Sequence, residues 1–452
     1  MATFVSRTTR ELDIRHLWHG NLQHTGLEKN PPLEVVQAEG CYVYDSEGRR
    51  YLDAMAGLWC VNVGYGRREI VDAVAIQMTR LPYYPLTQSH PPAAELAARL
   101  AELLPAGLRR VFFLNSGSEA VETALKMARQ YARRVYPGQN RYKIIARHRA
   151  YHGFTMGALS ATGQVSRKRA FEPLVPGFLH VAPPDHYRCA FCRHEPGCTL
   201  TCADEFDRVI RLEGPETVAA VILEPTIGGG GVFPAPEGYL ERVRQICDRH
   251  GVLLILDEVI TGFGRTGKMF AFEHAGIRPD ILTVAKGITS GYLPLGATVA
   301  TDAIFDAFQS DTDDSAKFSQ LSTFGGHPCS CAAGLANLEI LTRERLWENA
   351  EGIGAHLADR FRALDSPCVG EVRGRGLLIG LELIADSNRT PMPEREVVRL
   401  QGAIREAGVL VGRNSDTVPG LGNVLTIAPP LTLKKEEADA IVAAVEKSLR
   451  PQ

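Results

Sequence analysis

The sequence predicts an α/β protein that has a large domain built on a mainly parallel sheet and a smaller α+β domain. Apolar, β-branched runs of strand length alternate with amphipathic helical stretches through the middle of the chain. After about Pro328 this pattern gives way to a long helical stretch and then to shorter strands. The chain has 452 residues, which is too long for one small core. These observations favour a doubly wound domain followed by a second one.

The large domain is predicted from six strand-like runs. They lie near Val111, Ile144, Ile222, Ile255, Thr283 and Ala297. Helices are expected between several of them, for example from Glu119 to Tyr136 and from Tyr239 to His250.

The smaller domain is predicted from the last third of the sequence. Its strands are expected in "GLLIGLEL", "GVLVGRN" and "NVLTIAPPL", and its final helix in "KKEEADAIVAAVEKSL". The stretch "CYVYDSEGRRYLD" indicates a hairpin that turns around Ser46 to Gly48. We therefore predict that residues 1–60 contribute to the small domain, that residues 61–328 form the large domain, and that residues 329–452 complete the small one.

The composition is typical of a soluble globular enzyme. Hydrophobic residues make up 45% and charged residues 23% of the chain, and the formal net charge is -2. This charge gives no electrostatic reason to expect nucleic acid or an anionic membrane as a partner. The first residues have no apolar signal-peptide core and no stretch is apolar enough to span a bilayer, so we expect a cytoplasmic protein.

Four of the ten cysteines cluster in "HYRCAFCRHEPGCTLTC". The cluster contains Cys189, Cys192, Cys198 and Cys202, together with His186 and His194. Cys-x-x-Cys followed by two more thiols could hold zinc. The alternative is a compact surface insertion whose thiols are merely close, or oxidise on isolation. We favour the alternative and expect no metal, because the second pair has a looser spacing and no hairpin pattern flanks it.

A turn between a strand and a helix is a candidate anion site. The strand "VFFLNS" runs into a helix through Ser116, Gly117 and Ser118. Free N–H groups and the positive end of the helix dipole at such a turn bind phosphate. An ordinary helix cap is the alternative, since it is the commoner use of these residues. The glycine patterns of nucleotide-binding loops do not occur here.

Two charged residues end neighbouring apolar strands. Asp257 follows "LLIL", and alternation along the strand would place Val259 on the same side and Glu258 on the other. A carboxylate at the carboxyl end of a parallel strand points into the crevice where such sheets bind ligands. Lys286 ends "ILTVA" among small residues, and an amine in an apolar pocket is a candidate Schiff-base nucleophile. Taken singly, Asp257 could be a structural cap and Lys286 a solvated strand end.

An anion cradle, an aspartate and a lysine on one sheet fit pyridoxal 5'-phosphate. This cofactor needs a site for its phosphate, an amine for its aldehyde and a carboxylate that keeps its pyridine nitrogen protonated. Tyr151, in the turn "YHG", could stack on one face of the ring and Val259 on the other. Simple core packing of Tyr151 is an equal alternative.

The stretch "ILDEVITGFGRTGKMFAFEHAGIRPDILTVAKGITSGYLPLGA" resembles the signature of the class III pyridoxal-phosphate aminotransferases, or ω-aminotransferases, of fold type I. The similarity extends through "YLDAMAGLWCVNVGYGR", "NSGSEAVETALKMAR", "YHG", "STFGGHPCSCAAGLANL" and "VRGRGLLIGLEL". The resemblance implies a seven-stranded, mainly parallel sheet. It also implies that Lys286 binds the cofactor covalently and then acts as general base and acid, and that Asp257 pairs with the pyridine nitrogen.

The same resemblance implies further contacts to the cofactor. Its phosphate would bind to Ser116, Gly117 and Ser118. Tyr151 and Val259 would enclose the ring. Thr323, in "STFGG", would reach the phosphate of a neighbouring subunit, which makes the site a product of a homodimer. Glu224 matches an acid near the cofactor, and a structural ion pair is nearly as good an interpretation of it.

The text "MAGLWCVNVGYGR" and "TSGYLPLGA" resembles the pyruvate-dependent branch of this family. That branch implies transfer of an amino group from an ω-amino acid or amine to pyruvate, giving L-alanine. Arg413 is the candidate clamp for the keto-acid carboxylate, with a solvated loop arginine as the alternative. The candidate residues for the wall of the amine pocket are Leu58, Trp59, Tyr84 and Leu86.

Two other functions remain open at this point. An aminomutase of the same fold would recycle nitrogen within one molecule and need no keto acid. A non-catalytic scaffold would have kept the fold and lost the chemistry, although the presence of Lys286, Asp257 and the Ser-Gly-Ser turn together argues against it. The sequence also does not distinguish a dimer from a tetramer.

Overall fold

A seven-stranded sheet forms the centre of the protein in a computed structural model that describes residues 8–192, 197–415 and 417–450. The strands are β1 (Val35–Glu39), β2 (Tyr42–Asp45), β3 (Arg50–Asp53), β4 (Leu108–Leu114), β5 (Lys143–Arg147), β6 (Phe178–Val181), β7 (Val218–Leu223), β8 (Thr226–Ile227), β9 (Phe233–Pro234), β10 (Leu253–Asp257), β11 (Ile281–Val284), β12 (Gly296–Thr301), β13 (Val369–Arg375), β14 (Leu378–Leu383), β15 (Val409–Leu410), β16 (Gly412–Arg413) and β17 (Val424–Ile427). The helices are α1 (Thr9–His16), α2 (Ala56–Trp59), α3 (Arg68–Arg80), α4 (Pro91–Glu102), α5 (Gly117–Val135), α6 (Met156–Ala161), α7 (Val165–Lys168), α8 (Thr201–Glu213), α9 (Tyr239–His250), α10 (Asp302–Asp306), α11 (Pro328–Arg343), α12 (Leu346–Arg362), α13 (Glu394–Glu406) and α14 (Lys435–Leu449). Short 3-10 turns cover Pro215–Thr217, Ala271–His274, Lys286–Ile288 and Asp314–Ala316.

The central sheet has the strand order β4-β12-β11-β10-β7-β5-β6. All of its neighbouring pairs are parallel except those that β12 makes with β11 and β4. Every residue of β7, β11 and β12 is buried, which is expected of strands covered by helices on both faces. The predicted mainly parallel α/β fold is thus confirmed.

The parallel strands bring the candidate residues to one edge of this sheet. β4 leads into Ser116, β10 ends at Asp257, and β11 ends two residues before Lys286. Chain segments that leave β5 and β7 at the same edge carry Tyr151 and Glu224. This edge, where the carboxyl ends meet, is where open α/β sheets bind ligands.

α5 begins two residues earlier than predicted, at Gly117. Ser116 is its N-cap, and its hydroxyl accepts a hydrogen bond from the backbone N–H of Glu119 at 3.3 Å. Buried residues at helical spacing, including Val121, Ala124 and Ala128, pack the helix against the sheet. A helix of 19 residues therefore points its positive end at the sheet edge.

The C-terminal part forms a second sheet of order β13-β14-β17-β16. The predicted strand "GVLVGRN" is wrong as a single element, because its two halves have different partners. β15 pairs with β3 of the N-terminal hairpin, and β16 pairs with β17. The predicted hairpin itself is confirmed, with Tyr42 opposite Leu52. The division at residues 60 and 328 stays a prediction.

Glu258 is a fully buried acid that organises the chain after β10. Its carboxylate accepts hydrogen bonds from the Thr261 hydroxyl at 2.7 Å and from the N–H groups of Ala271 and Phe272 at 2.9 and 2.8 Å. The strand ends at Asp257, so the alternation of side chains along a strand does not determine the side on which Val259 lies. Glu258 instead holds the turn that carries Val259.

Burial raises the pKa of Glu258 to about 7, even though its hydrogen bonds lower it. A folded-state pKa above the unfolded value means that the proton stabilises the folded protein. That contribution is complete below the ordinary glutamate pKa of 4.5 and is lost as the pH rises through about 7. We expect the melting temperature of the wild type, relative to Glu258→Gln, to fall between pH 5 and pH 8 in thermal unfolding scans. A difference that stays constant over this range would contradict the assignment.

None of the helices in the described ranges is both long and apolar enough to cross a membrane.

Candidate active site

Lys286 lies directly beyond β11, and the residue before it lies beside the turn that begins α5. Its backbone is in the left-handed region, with φ of 46°, which is uncommon for a residue with a side chain. A Cβ added to Gly117 would lie 2.9 Å from Val259 Cγ1 and 3.6 Å from the Cβ of Ala285. The Ser116–Ser118 turn, Val259 and Ala285, the residue before the lysine, therefore pack on one another. Among the described residues, no hydrogen bond or ion pair engages the Lys286 amine.

The turn formed by Ser116, Gly117 and Ser118 already has the geometry of an anion site. The N–H groups of Gly117 and Ser118 open the helix, so they have no carbonyl acceptor within it. The Ser118 hydroxyl accepts a hydrogen bond from Phe154 N at 3.1 Å, which leaves its own proton to donate. A Cβ added to Gly153 would lie 2.6 Å from that hydroxyl, so glycine is required where the "YHG" turn meets α5. The turn can both cap the helix and bind an anion.

Asp257 is 4% exposed and meets an imidazole. Its Oδ2 lies 2.7 Å from Nδ1 of His152, and its Oδ1 accepts the N–H of Val259 at 3.1 Å. Nε2 of His152 and the hydroxyl of Thr283, which is the register partner of Asp257 on β11, are buried without a protein partner in the described residues. The aspartate is thus oriented by two contacts beside unsatisfied polar groups.

Glu224 supports the "YHG" turn rather than an ion pair. Its Oε1 accepts the N–H of Tyr151 at 3.1 Å and its Oε2 accepts the N–H of Gly228 at 2.9 Å. Burial, and secondarily the charge of Asp257, raise the pKa of Glu224, while His152 and these N–H donors lower it. Over residues 8–192, 197–415 and 417–450 no arginine or lysine pairs with it, so the alternative of a structural ion pair is wrong.

Trp59 and Arg413 lie on two chain segments that contact each other through Met55 and Gly412. Trp59 packs against Val232, Ile260, Leu378 and Ala428, and its indole N–H is buried without a partner among the described residues. Burial raises the pKa of the thiol of the next residue, Cys60, and the nearby charge of Lys286 opposes that rise. Gly412, the neighbour of Arg413, lies against Met55 at the start of the same turn. The guanidinium of Arg413 forms an ion pair with Glu394.

The remaining predicted residues are exposed or contact the loop around Thr323. Leu58 is 61% exposed and Tyr84 is 51% exposed. A Cβ added to Gly326 would lie 2.5 Å from Leu86, and the hydroxyl of Tyr83 donates to the carbonyl of Thr323 at 2.8 Å. The side chain of Thr323 is exposed. Within one chain, the segment of Leu86 thus lies against the segment of Thr323.

These residues fit pyridoxal phosphate. The helix start offers N–H donors in a gap that admits no Cβ at Gly117, Asp257 is held with its carboxylate at the same edge, and Lys286 supplies an amine. The unpartnered His152 and Thr283 atoms add donors and acceptors beside Asp257. The site thus offers a chemically suitable partner for the phosphate, the ring nitrogen and the aldehyde of the cofactor.

Cys189, Cys192 and Cys198 lie between β6 and α8, Cys202 lies in the first turn of α8, and all four are free thiols. His186 is exposed, and His194 lies outside the described residues. In the part of the chain that the structure describes, no three cysteine, histidine or acidic side chains are already arranged to hold a metal ion.

The profile of the family "Aminotransferase class-III" matches residues 25–449. The chain belongs to this family.

Several characterised and uncharacterised aminotransferases, and several solved structures, are similar to this class-III aminotransferase over nearly its whole length. An uncharacterised aminotransferase of Bacillus subtilis is 49% identical over 98% of this chain and 96% of its own. The taurine–pyruvate aminotransferase of Bilophila wadsworthia is 41% identical over 97% and 96%. The crystal structure of an (S)-enantioselective ω-transaminase from Thermomicrobium roseum has a TM-score of 0.90 at 42% identity, covering 98% of this chain and 99% of that one.

Class-III aminotransferases depend on pyridoxal phosphate, so the predicted enzyme class and cofactor are confirmed. His152 is the residue of this aminotransferase's site that the sequence analysis missed. The signal that could have found it is the "YHG" turn itself, because its polar middle residue comes after a strand that ends at the same edge as Asp257.

Proposed function

We propose that this aminotransferase moves an amino group from an ω-amino acid or amine to pyruvate, giving an aldehyde or ketone and L-alanine. One observation carries the proposal. Lys286, Asp257 and the Ser116–Ser118 turn meet at one sheet edge, and the indole of Trp59 packs against a cluster that includes Ile260, the residue after Val259. The names of the Bilophila and Thermomicrobium proteins support pyruvate and an ω-amine as substrates.

The cofactor is proposed to be held by the residues that the site brings together. Its phosphate would bind the N–H groups and hydroxyls of Ser116, Gly117 and Ser118. Tyr151 would pack on one face of the ring and Val259 on the other, with Glu224 fixing the backbone of Tyr151. When bound, pyridoxal phosphate withdraws electrons from the substrate carbon and carries nitrogen between the half-reactions.

Asp257 and Lys286 are proposed to control protonation of the cofactor and the substrate. The carboxylate of Asp257, oriented by His152 and the N–H of Val259, would keep a proton on the ring nitrogen. Nζ of Lys286 would anchor the cofactor aldehyde between turnovers, then take a proton from the substrate carbon and return it on the cofactor side.

Arg413 is proposed to bind the carboxylate of pyruvate in exchange for Glu394. The present ion pair is only partly buried, with the arginine side chain 23% and the glutamate 43% exposed. An exposed pair of this kind contributes little to stability. A planar carboxylate within the pocket, away from water, can offer the guanidinium two parallel hydrogen bonds.

We expect Arg413→Ala to raise the KM for pyruvate about 10- to 100-fold, because charge-assisted hydrogen bonds are lost. The kcat/KM for an amine without a carboxylate should change little. Arg405→Ala, an exposed arginine of the same part of the chain, is the matched control and should leave both values near wild type. Equal losses for both substrates would count against the clamp.

The protein is also proposed to be a homodimer with a shared site, and direct measurement of its mass would show whether dimers pair into tetramers. Leu86, Leu321 and Phe324 are exposed apolar side chains beside Thr323. A second chain that covered them would bring Thr323 to the phosphate of its partner. A reducing, cytoplasmic location is proposed because all ten cysteines are free.

A donor panel tests the function. Taurine, β-alanine, 4-aminobutyrate, putrescine and an aromatic amine are each incubated with pyruvate or with 2-oxoglutarate, and the amino acid formed is measured. We expect L-alanine from at least one ω-amine and much less glutamate. Glutamate formation from 2-oxoglutarate, with none of the donors supporting alanine, would overturn the pyruvate assignment.

A further inference from the structure

We propose that Arg149 is a positioning residue, which fixes the turn that carries Tyr151 and the loop Gly228–Val232 relative to each other. Arg149 is 5% exposed and lies two residues before Tyr151. Its Nη1 donates to Oδ2 of Asp185 at 2.7 Å, and its Nη2 donates to the carbonyl of Gly230 at 3.0 Å. One guanidinium thus bonds to the loop while its own backbone leads into the turn.

The backbone of Arg149 is itself held by several contacts. Its φ is 67°, a left-handed conformation that a residue with a side chain keeps only where its surroundings fix it. Its N–H donates to the carbonyl of Gly163 at 2.9 Å, and its carbonyl accepts the side-chain amide of Gln164 at 3.0 Å. A Cβ added to Gly230 would lie 2.2 Å from the same carbonyl, so the loop packs directly on this backbone. The direction in which the chain enters Tyr151 therefore depends on the contacts of Arg149.

The loop Gly228–Val232 begins with four glycines, so it has few side chains that could fix it by packing. Two arginines hold it through its backbone instead. Arg149 bonds to the carbonyl of residue 230, and Nε of Arg373, on β13, donates to the next two carbonyls at 3.0 and 2.8 Å. Three successive carbonyls are thus bound by guanidinium groups.

The two arginines also share an aromatic ring and are each paired with a buried acid. Both guanidinium carbons lie 4.2 Å from the centre of the Phe233 ring. Asp185 pairs with Arg149, and Glu382 pairs with Arg373 at 2.6 Å. These four charged side chains are at most 9% exposed, so the loss of one partner would leave a buried charge uncompensated.

Glu224 provides a second link between the turn and the loop. Its carboxylate accepts the N–H groups of both Tyr151 and Gly228. Beyond the glycines, the fully buried Val232 packs in the cluster that Trp59 contacts. The inference rests on the proposed function, in which Tyr151 packs on the cofactor and Trp59 lines the amine pocket. A shift of the loop would then alter both.

Arg149→Lys tests the proposal, because it keeps a charge beside Asp185 and removes the planar group that also reaches Gly230. Hydrogen–deuterium exchange is followed by mass spectrometry in the purified, full-length protein. We expect exchange to become about 10-fold faster in both residues 150–154 and residues 228–232. The variant should also bind pyridoxal phosphate about 10-fold more weakly and change the circular dichroism of the bound cofactor, which reports the surroundings of its ring.

Arg141→Lys is the matched control. Arg141 is also a buried arginine, its guanidinium carbon lies 4.0 Å from the centre of the Tyr136 ring, and its Nη1 donates to the carbonyls of His250 and Gly251. It precedes β5 and therefore lies at the amino end of the strand that Arg149 follows. This variant should alter the melting temperature and leave unchanged the exchange of both segments and the dichroism of the cofactor.

A folded Arg149→Lys protein in which either segment exchanged at the wild-type rate would overturn the proposal. If that variant does not fold, Asp185→Asn decides the question. It weakens the contact that orients Arg149, so the same two segments should exchange faster, and wild-type exchange in either one would again overturn the proposal. Wild-type protein that bound no pyridoxal phosphate would instead refute the proposed function, and the exchange rates would still test the role of Arg149.

Discussion

Lys286→Ala is expected to lower kcat by at least about 10⁴-fold, because the change removes both the amine that anchors the cofactor and the group that moves the proton. The fold should persist, since no hydrogen bond or ion pair among the described residues depends on the Lys286 amine. Turnover with an ω-amine and pyruvate is measured beside circular dichroism and thermal unfolding.

Lys268→Ala is the matched control for this substitution. Lys268 is an exposed lysine in the turn between β10 and the 3-10 segment at Ala271–His274, and no proposed role involves it. We expect its kcat to stay near wild type and its absorption spectrum to keep the cofactor band. A Lys286→Ala protein that still turned over at a tenth of the wild-type rate or more would refute the assignment.

Asp257→Asn should have the second largest effect, a loss of about 10²- to 10³-fold in kcat, since a neutral amide no longer holds the ring nitrogen protonated. The neighbouring acid provides the comparison. Among the described residues, Glu258→Gln alters a carboxylate that binds only Thr261, Ala271 and Phe272, so it should change stability with pH and leave kcat within a few-fold.

Comparing these two substitutions distinguishes a loss of catalysis from a loss of stability at adjacent positions. Steady-state kcat and melting temperature are measured for both variants under the same conditions. If Glu258→Gln lost as much kcat as Asp257→Asn while both proteins remained folded, Asp257 would have no special place in the reaction.

The sequence was sufficient for the features that depend on a single strand and the turn directly after it. Buried apolar runs predicted the strands that end at Asp257 and near Lys286, and the Ser-Gly-Ser turn predicted the start of α5 to within two residues. Parallel strands place their carboxyl ends at one edge, so the meeting of these residues could be expected from the fold class alone.

Contacts between distant segments could not be predicted in the same way. His152 and Asp257 are 105 residues apart and meet only because β5 and β10 both flank β7. Arg413 on β16 forms an ion pair with Glu394 at the start of α13, and no rule of sequence spacing predicts this pair. Alternation failed for Val259 because the strand ends two residues earlier.

The central claim is the transfer of nitrogen from an ω-amine to pyruvate, and isotope transfer tests it most directly. The enzyme is incubated with a ¹⁵N-labelled ω-amine that the donor panel has identified, together with unlabelled pyruvate, and the products are analysed by mass spectrometry. We predict that the L-alanine formed carries the label and equals the aldehyde or ketone in amount. Label that stayed in a rearranged form of the donor, with no labelled alanine, would contradict the account and identify an aminomutase instead.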